Sequence, residues 1–258
     1  MKHLRMQRNA VRRQRRRVVL YLGGVLVLFG ALAGIAAAFS QYVTESPRFL
    51  VKKIRVEGAN VLREETILAV AGITAEDNLL LSDIEAIRAR VASMPYVREC
   101  SVQRAFPDTV IIRVEEREAV AGLLVNNRVF ELDEESVVLR ELEDPSGHAG
   151  PLITNVPQLG VVEPGQQLGQ PSLHSALALW DAFSLVPVSR ELRISEISAP
   201  EEALLLVYFD DLPFETRWGR SDYLHQAQNL DILWREKGGK LPCKEYLDLR
   251  FDDDLVCK

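Results

Sequence analysis

The first 44 residues contain no Asp or Glu, and no charge of either sign lies between Arg17 and Glu45. The missing acids leave the N-terminal segment purely basic. The missing charges leave one long apolar run, residues 18–39. Cysteine is scarce as well: Cys100, Cys243 and Cys257 are too few, and odd in number, for a disulfide framework. Cys243 and Cys257 can pair in an oxidising compartment, but sequence does not show their Cα separation, and two free thiols are the expectation. Of the four histidines, His3, His148, His174 and His225, none stands at metal-ligand spacing with another His or Cys. No glycine-rich phosphate loop and no G-x-S-x-G elbow occurs, so nucleotide chemistry and the α/β-hydrolase arrangement have no support.

What is there begins with eight bases, Lys2, Arg5, Arg8, Arg12, Arg13, Arg15, Arg16 and Arg17. At about 1.5 Å per residue, the apolar run behind them makes a helix of roughly 33 Å, enough to cross a hydrocarbon core of about 30 Å. The basic flank puts the N-terminus in the cytoplasm and everything beyond about Gln41 outside it. A cleaved signal peptide would share the basic start, and Ala36 to Ala38 offers an A-x-A site. Its apolar region, however, is usually only about 7–15 residues. Arg12-Arg13 as a twin-arginine signal is the weaker account, because scattered arginines more simply neutralise anionic head groups. A nucleic-acid arm is weaker still, since the bases abut a membrane span and carry no interleaved aromatics. Beyond residue 17 the chain has 23 basic against 37 acidic residues, an acidic balance that argues against nucleic-acid partners. About 215 exported residues allow two small domains.

From Phe49 to Glu118 the pattern is strand, helix, helix, strand, strand. Residues 49–57 carry Ile54 and Val56 on one face and stop at Gly58. Residues 63–71 have Ile67, Leu68 and Ala71 at helical spacing before Gly72. Ser82 to Glu85 fits a capping box, followed by the apolar stripe Ile84, Ile87 and Val91, and Pro95 ends that helix. Strands follow over 97–105 and 109–115, joined by a turn at Phe106-Pro107-Asp108. After Ala121 short strands are expected at 123–125, 128–132 and 137–142, then a Pro- and Gly-rich loop over 143–169. A helix over 171–183, strands at 192–197, 203–209 and 214–218, a helix over 221–237 and strands at 245–251 and 255–258 complete the chain. The fold class is α+β.

Two stretches carry a resemblance. Residues 49–59 resemble the opening of a POTRA domain. The run from Met94-Pro95-Tyr96-Val97 through Arg104-Ala105-Phe106-Pro107-Asp108 to residues 114–121 is similar to the FtsQ/DivIB cell-division family. Trp218-Gly219-Arg220 and Asp248-Leu249-Arg250-Phe251 look like further matching elements. At the end the chain departs from the family pattern, with Asp252-Asp253-Asp254 where a turn glycine is usual. The resemblance implies a basic tail over 1–17, a membrane helix in lipid over 18–39, a POTRA domain over 49–118 and an FtsQ-type β domain over 119–258. It further implies a non-enzymatic bitopic scaffold of the division machinery at the septum. The β domain would bind small coiled-coil division proteins of the FtsB/FtsL kind and help control septal peptidoglycan synthesis, and the POTRA domain would take other divisome proteins.

Two other classes fit the sequence less well. A secretion-type POTRA adaptor would need a β-barrel, and no strand shows the lipid-facing alternation a barrel requires. A membrane-anchored envelope hydrolase would need a catalytic set. Ser221, Asp222 and His225 fall within one expected helix, where Ser221 and Asp222 more plausibly start it. Asp210-Asp211 and Asp252 to Asp254 lack the spacing of a Ca²⁺ loop and suit solvated turns. No cofactor, metal or catalytic residue is assigned. The expected partner site is the closing strand, with Arg250, Phe251, Asp253 and Leu255. A terminal strand makes a sheet edge whose free N–H and C=O groups can take a partner strand. Arg250 would meet a partner carboxylate, and Phe251 or Leu255 would add apolar contact. The competing account pairs Arg250 with Asp248 or Asp252 and buries Phe251.

Overall fold

The computed structural model describes residues 2–219, 222–251 and 254–258, with side chains from Tyr21 onward except that of Glu45. One long helix, α1 (Lys2–Glu45), opens the chain, and its segment Tyr21–Thr44 is long and apolar enough to cross a membrane. The chain divides into two compact units. One takes the chain up to Arg55, Gly72–Glu85 and Val102–Ile112; the other takes Val56–Ala71, Ala86–Ser101 and Arg113–Lys258.

In the first unit, α1 runs into a short 3-10 turn, Pro47–Phe49, which Pro47 starts. The Val51 N–H bonds the Asp77 carbonyl (2.9 Å) and the Leu79 N–H bonds the Phe49 carbonyl (2.7 Å). Val51, Leu79, Val110 and Ile112 are fully buried there. Residues 49–52, expected as strand, are held by these isolated bonds instead, and strand β1 begins only at Lys53 (Lys53–Glu57). The Phe49-Leu50-Val51 run supplied an apolar signal, but Pro47 and the Asp77–Leu79 segment fix its backbone outside a ladder.

Helices α2 (Glu64–Ala71) and α3 (Ile84–Ala92) and strands β2 (Val97–Ala105) and β3 (Thr109–Glu116) complete the first half in the β-α-α-β-β order expected. Their small sheet has the order β1-β3-β2. Gly72, at φ 60°, follows α2 as a left-handed C′ residue.

Nine further strands form one sheet. Strands β4 (Ala121–Val125), β5 (Arg128–Leu132) and β6 (Val138–Glu141) make an antiparallel meander. Asn126 and Asn127, both at positive φ, close its first hairpin, the backbone a two-residue turn needs. Strand β7 (Leu152–Thr154) lies parallel to both β4 and β8 (Ile194–Glu201) and joins the meander to the rest. Its place inside the expected 143–169 loop is a correction: three residues are too few to show a period, and their burial comes from neighbours on both sides. Then come β9 (Leu204–Phe209), β10 (Glu215–Gly219), β11 (Tyr246–Phe251) and β12 (Asp254–Cys257), in the order β12-β11-β10-β9-β8-β7-β4-β5-β6.

Helices α4 (Pro171–Ser184) and α5 (Tyr223–Glu236) pack their apolar stripes on this sheet. Leu173, Leu179, Phe183, Ala227 and Leu230 are buried among Ile197, Val207, Trp218 and Leu249. Fully burying a Leu or Phe side chain is worth about 1.5–3 kcal/mol, so this one continuous cluster dominates the stability of the β part. The chain is α+β: an N-terminal apolar helix, a β-α-α-β-β part and a strand-rich part with peripheral helices.

Candidate partner-binding site

Strand β10 pairs parallel with β11, and β11 pairs antiparallel with β12, which ends the sheet. The Lys258 N–H donates to the Tyr246 carbonyl (3.1 Å), and Asp248 stands opposite Val256. Alternation in an antiparallel ladder therefore turns the backbone groups of Val256 towards β11 and those of Leu255 and Cys257 outwards. A register shift between Asp248 and Phe251 breaks the ladder at the start of β12.

Asp248 is the polar centre of this corner. It is buried, and Arg250, two residues on along the strand and so on the same face, clasps it with Nε to Oδ1 at 2.9 Å and a terminal nitrogen to Oδ2 at 2.6 Å. The Arg250 N–H adds a third bond at 3.1 Å. Burial alone pushes the Asp248 carboxyl up, but the three bonds from Arg250 outweigh it and hold it below the usual carboxylate value. The Arg250 stem lies over Gly219, where an added Cβ would stand 3.2 Å from Cγ. Arg217 covers the Tyr246 ring at 3.9 Å and binds Glu215 at 2.7 Å.

Of the residues expected to touch a partner, Arg250 is thus engaged by Asp248, one of the two carboxylates the competing account named. Phe251, which that account made core, is 53% exposed. Leu255 is half-buried and packs against the β core. Asp253 lies outside the described residues, as does Asp252. Because Arg250 closes a buried carboxylate, changing it disturbs the fold, and a substitution there does not isolate a partner contact.

Cys243 and Cys257 form a disulfide with Cα atoms 5.1 Å apart, which corrects the expectation of free thiols. Nothing in their 14-residue separation shows it; the antiparallel return of β12 brings Cys257 back beside the entry to β11. The bond ties the edge strand to the chain ahead of β11. The backbone carbonyl of Lys258 accepts from Lys244 and Glu245, both at 2.7 Å, and the Lys258 ammonium meets Glu245 at 2.7 Å.

The other candidates have structural partners. The Asp222 side chain caps α5 by accepting the His225 N–H at 3.1 Å, while Ser221 and Arg220 lie outside the described residues. Asp210 pairs with Arg193, and Asp211 accepts the Arg193 N–H. His174 bonds the Leu168 carbonyl at 3.0 Å. Among the described residues no group of three or more His, Cys, Asp or Glu gathers as a metal ion requires. A second buried carboxylate, Glu131, takes bonds from Tyr96 and Arg140. Burial pushes Glu131 up, these bonds bring it below its usual value, and burial with the Glu131 bond raises the Tyr96 hydroxyl.

A family description given as "POTRA domain, FtsQ-type" matches residues 49–117. The chain is 29% identical to the cell division protein FtsQ of Myxococcus fulvus, over 94% of this chain and 84% of that one. It is 25% identical to FtsQ of Syntrophotalea carbinolica over 95% and 86%, and 26% identical to FtsQ of Corynebacterium glutamicum over 86% and 93%. An apolar N-terminal helix, a matched FtsQ-type POTRA domain and likeness running through the β part agree: the chain is similar over most of its length to FtsQ cell division proteins.

Proposed function

We propose that this protein is a non-enzymatic bitopic scaffold of the cytoplasmic membrane at the division septum, with its N-terminus in the cytoplasm and its bulk outside. Its parts are a basic tail over 1–17, a membrane helix over 18–39, a POTRA domain over 49–118 and a β domain over 119–258. The β domain recruits small coiled-coil division proteins of the FtsB/FtsL kind by strand addition and so helps control septal peptidoglycan synthesis, and the POTRA domain takes other divisome proteins. The observation that carries this is the open edge of β12, with Leu255 and Cys257 turning their backbone groups outwards beside an exposed Phe251. Main-chain bonds along such an edge give affinity, and the side chains beside it give choice.

Phe251 is the residue to change, because its ring is largely in solvent and lies 5.7 Å from the Arg250 guanidinium, which Asp248 holds at 2.9 and 2.6 Å. Phe251→Glu is expected to weaken capture of the small division protein by about 2 kcal/mol, roughly thirtyfold, with an unchanged melting temperature. A photo-reactive residue at Leu255 should crosslink the same protein in dividing cells. Full capture by folded Phe251→Glu protein together with no crosslink from β12 would move the site elsewhere.

A further inference from the structure

We propose that the end of the first unit nearest α1 is a membrane-docking surface, seating Phe106 and Leu81 in the lipid head-group layer with basic residues around them. The inference starts from the level at which α1 leaves the bilayer. Tyr21 and Tyr42 are both exposed on this helix and stand 21 residues apart, about 32 Å along its axis, close to a hydrocarbon thickness of about 30 Å. Tyrosines favour the two interfaces of a membrane, so Tyr42 marks the outer one.

The folded chain is fastened at that level with no free tether. The last carbonyls of a helix lack partners within it. Here Asn78 supplies one, donating its side-chain amide to the Val43 carbonyl at 2.7 Å, and the Ser46 N–H bonds the Tyr42 carbonyl at 3.2 Å. Leu81 is three residues from Asn78. Arg104 then lashes the β2–β3 hairpin to the same segment, donating to the Leu79 carbonyl at 2.7 Å and the Ser82 carbonyl at 2.6 Å. The hairpin tip is held from its other side by Lys52 and Lys53, whose N–H groups bond the Asp108 carbonyl at 2.8 and 3.3 Å.

Phe106 at that tip is 63% exposed and Leu81 is 59% exposed, although each sits within a few residues of a fully buried core position. Around them stand Arg48, Lys52, Lys53 and Arg104, all exposed. Of the carboxylates nearby, Asp77 accepts from the Thr74 N–H and hydroxyl and Asp108 meets Lys52 at 3.9 Å, while Glu76 and Asp83 are exposed on the same segment. Apolar side chains ringed by bases and held at head-group level match an anionic lipid surface: rings and aliphatic chains enter the head-group boundary and each base near it adds attraction. Docking there would fix the orientation of this unit on the bilayer.

The test uses the full chain with Cys100→Ser and one added cysteine, labelled with an environment-sensitive fluorophore and reconstituted in vesicles of phosphatidylethanolamine and phosphatidylglycerol. Brominated lipids should quench a label at Phe106→Cys, and independently at Leu81→Cys, at least threefold more than one at Val161→Cys, an exposed position in the other unit. Replacing phosphatidylglycerol by neutral lipid should reduce that difference. Quenching at 106 and 81 no greater than at 161 would overturn the proposal. So would labels shielded from water yet untouched by brominated lipid, which would point to a protein covering the surface.

Discussion

At the scale of single residues, the Asp248–Arg250 pair shows how one strand can hide a charge and present an aromatic. Asp248 and Arg250 share a face, while the Phe251 ring, 5.7 Å from the Arg250 guanidinium, stays largely in solvent. The D-x-R spacing is legible in the sequence and allows the pair. What the sequence could not show is that Asp248 is buried, which depends on its cross-strand neighbours Arg217 and Val256 and on Arg250 closing over it. The sign of its pH dependence follows. A carboxyl whose folded-state pKa lies below its unfolded value stabilises the fold above that unfolded value, about 4, and the contribution disappears as pH falls through the folded value. Arg250→Ala should therefore cost about 2 kcal/mol near pH 7, discounted because the Arg250 side chain is 34% exposed. In urea titrations that follow the β part within the full chain, that gap should shrink below about pH 4. A gap unchanged by acid would show that packing over Gly219, and not the ion pair, is what Arg250 supplies.

At the scale of elements, the regular pieces were readable and the dependent ones were not. The strands over 97–105 and 128–132 fall where alternation and turn residues put them, because each carries its own signal. Strand β7 and the disulfide depend on partners distant in sequence: β7 exists because β4 and β8 stand on either side, and Cys243 meets Cys257 because β12 turns back on β11. The disulfide has a consequence for the edge strand. β12 is four residues long, mostly exposed, and its ladder is broken by a register shift. Closing a loop of about 15 residues stabilises a fold by about 3 kcal/mol in the chain-entropy account. Cys257→Ser should lose a stability of that order and, more selectively, raise amide exchange at Val256 and Lys258 while that of β8 and β9 stays slow. Equal protection of β12 in both proteins would mean that the backbone bonds from Lys244, Glu245 and Lys258 suffice to hold it.

At the scale of the whole molecule, two independent lines bear on which side of the membrane the folded part occupies. The first is electrostatic: eight bases and no acid precede the span, a pattern that favours the proposed retention of the N-terminus on the cytoplasmic side. The second is chemical: a disulfide between Cys243 and Cys257 persists where the surroundings are oxidising, outside the cytoplasm. Neither depends on the other, and neither depends on likeness to relatives. A phosphatase that folds only outside the cytoplasm, fused after Lys258, should be active, and the same reporter fused after Arg17 should not. The mature protein should remain in the membrane and still carry residues ahead of Val18. Replacing the six arginines from Arg8 to Arg17 by glutamine and asparagine should reduce the active fraction of the Lys258 fusion several-fold, because the orienting charge is removed while the apolar run is unchanged. A soluble product beginning near Phe39 would instead make the segment a cleaved signal, and an inactive Lys258 fusion would reverse the topology.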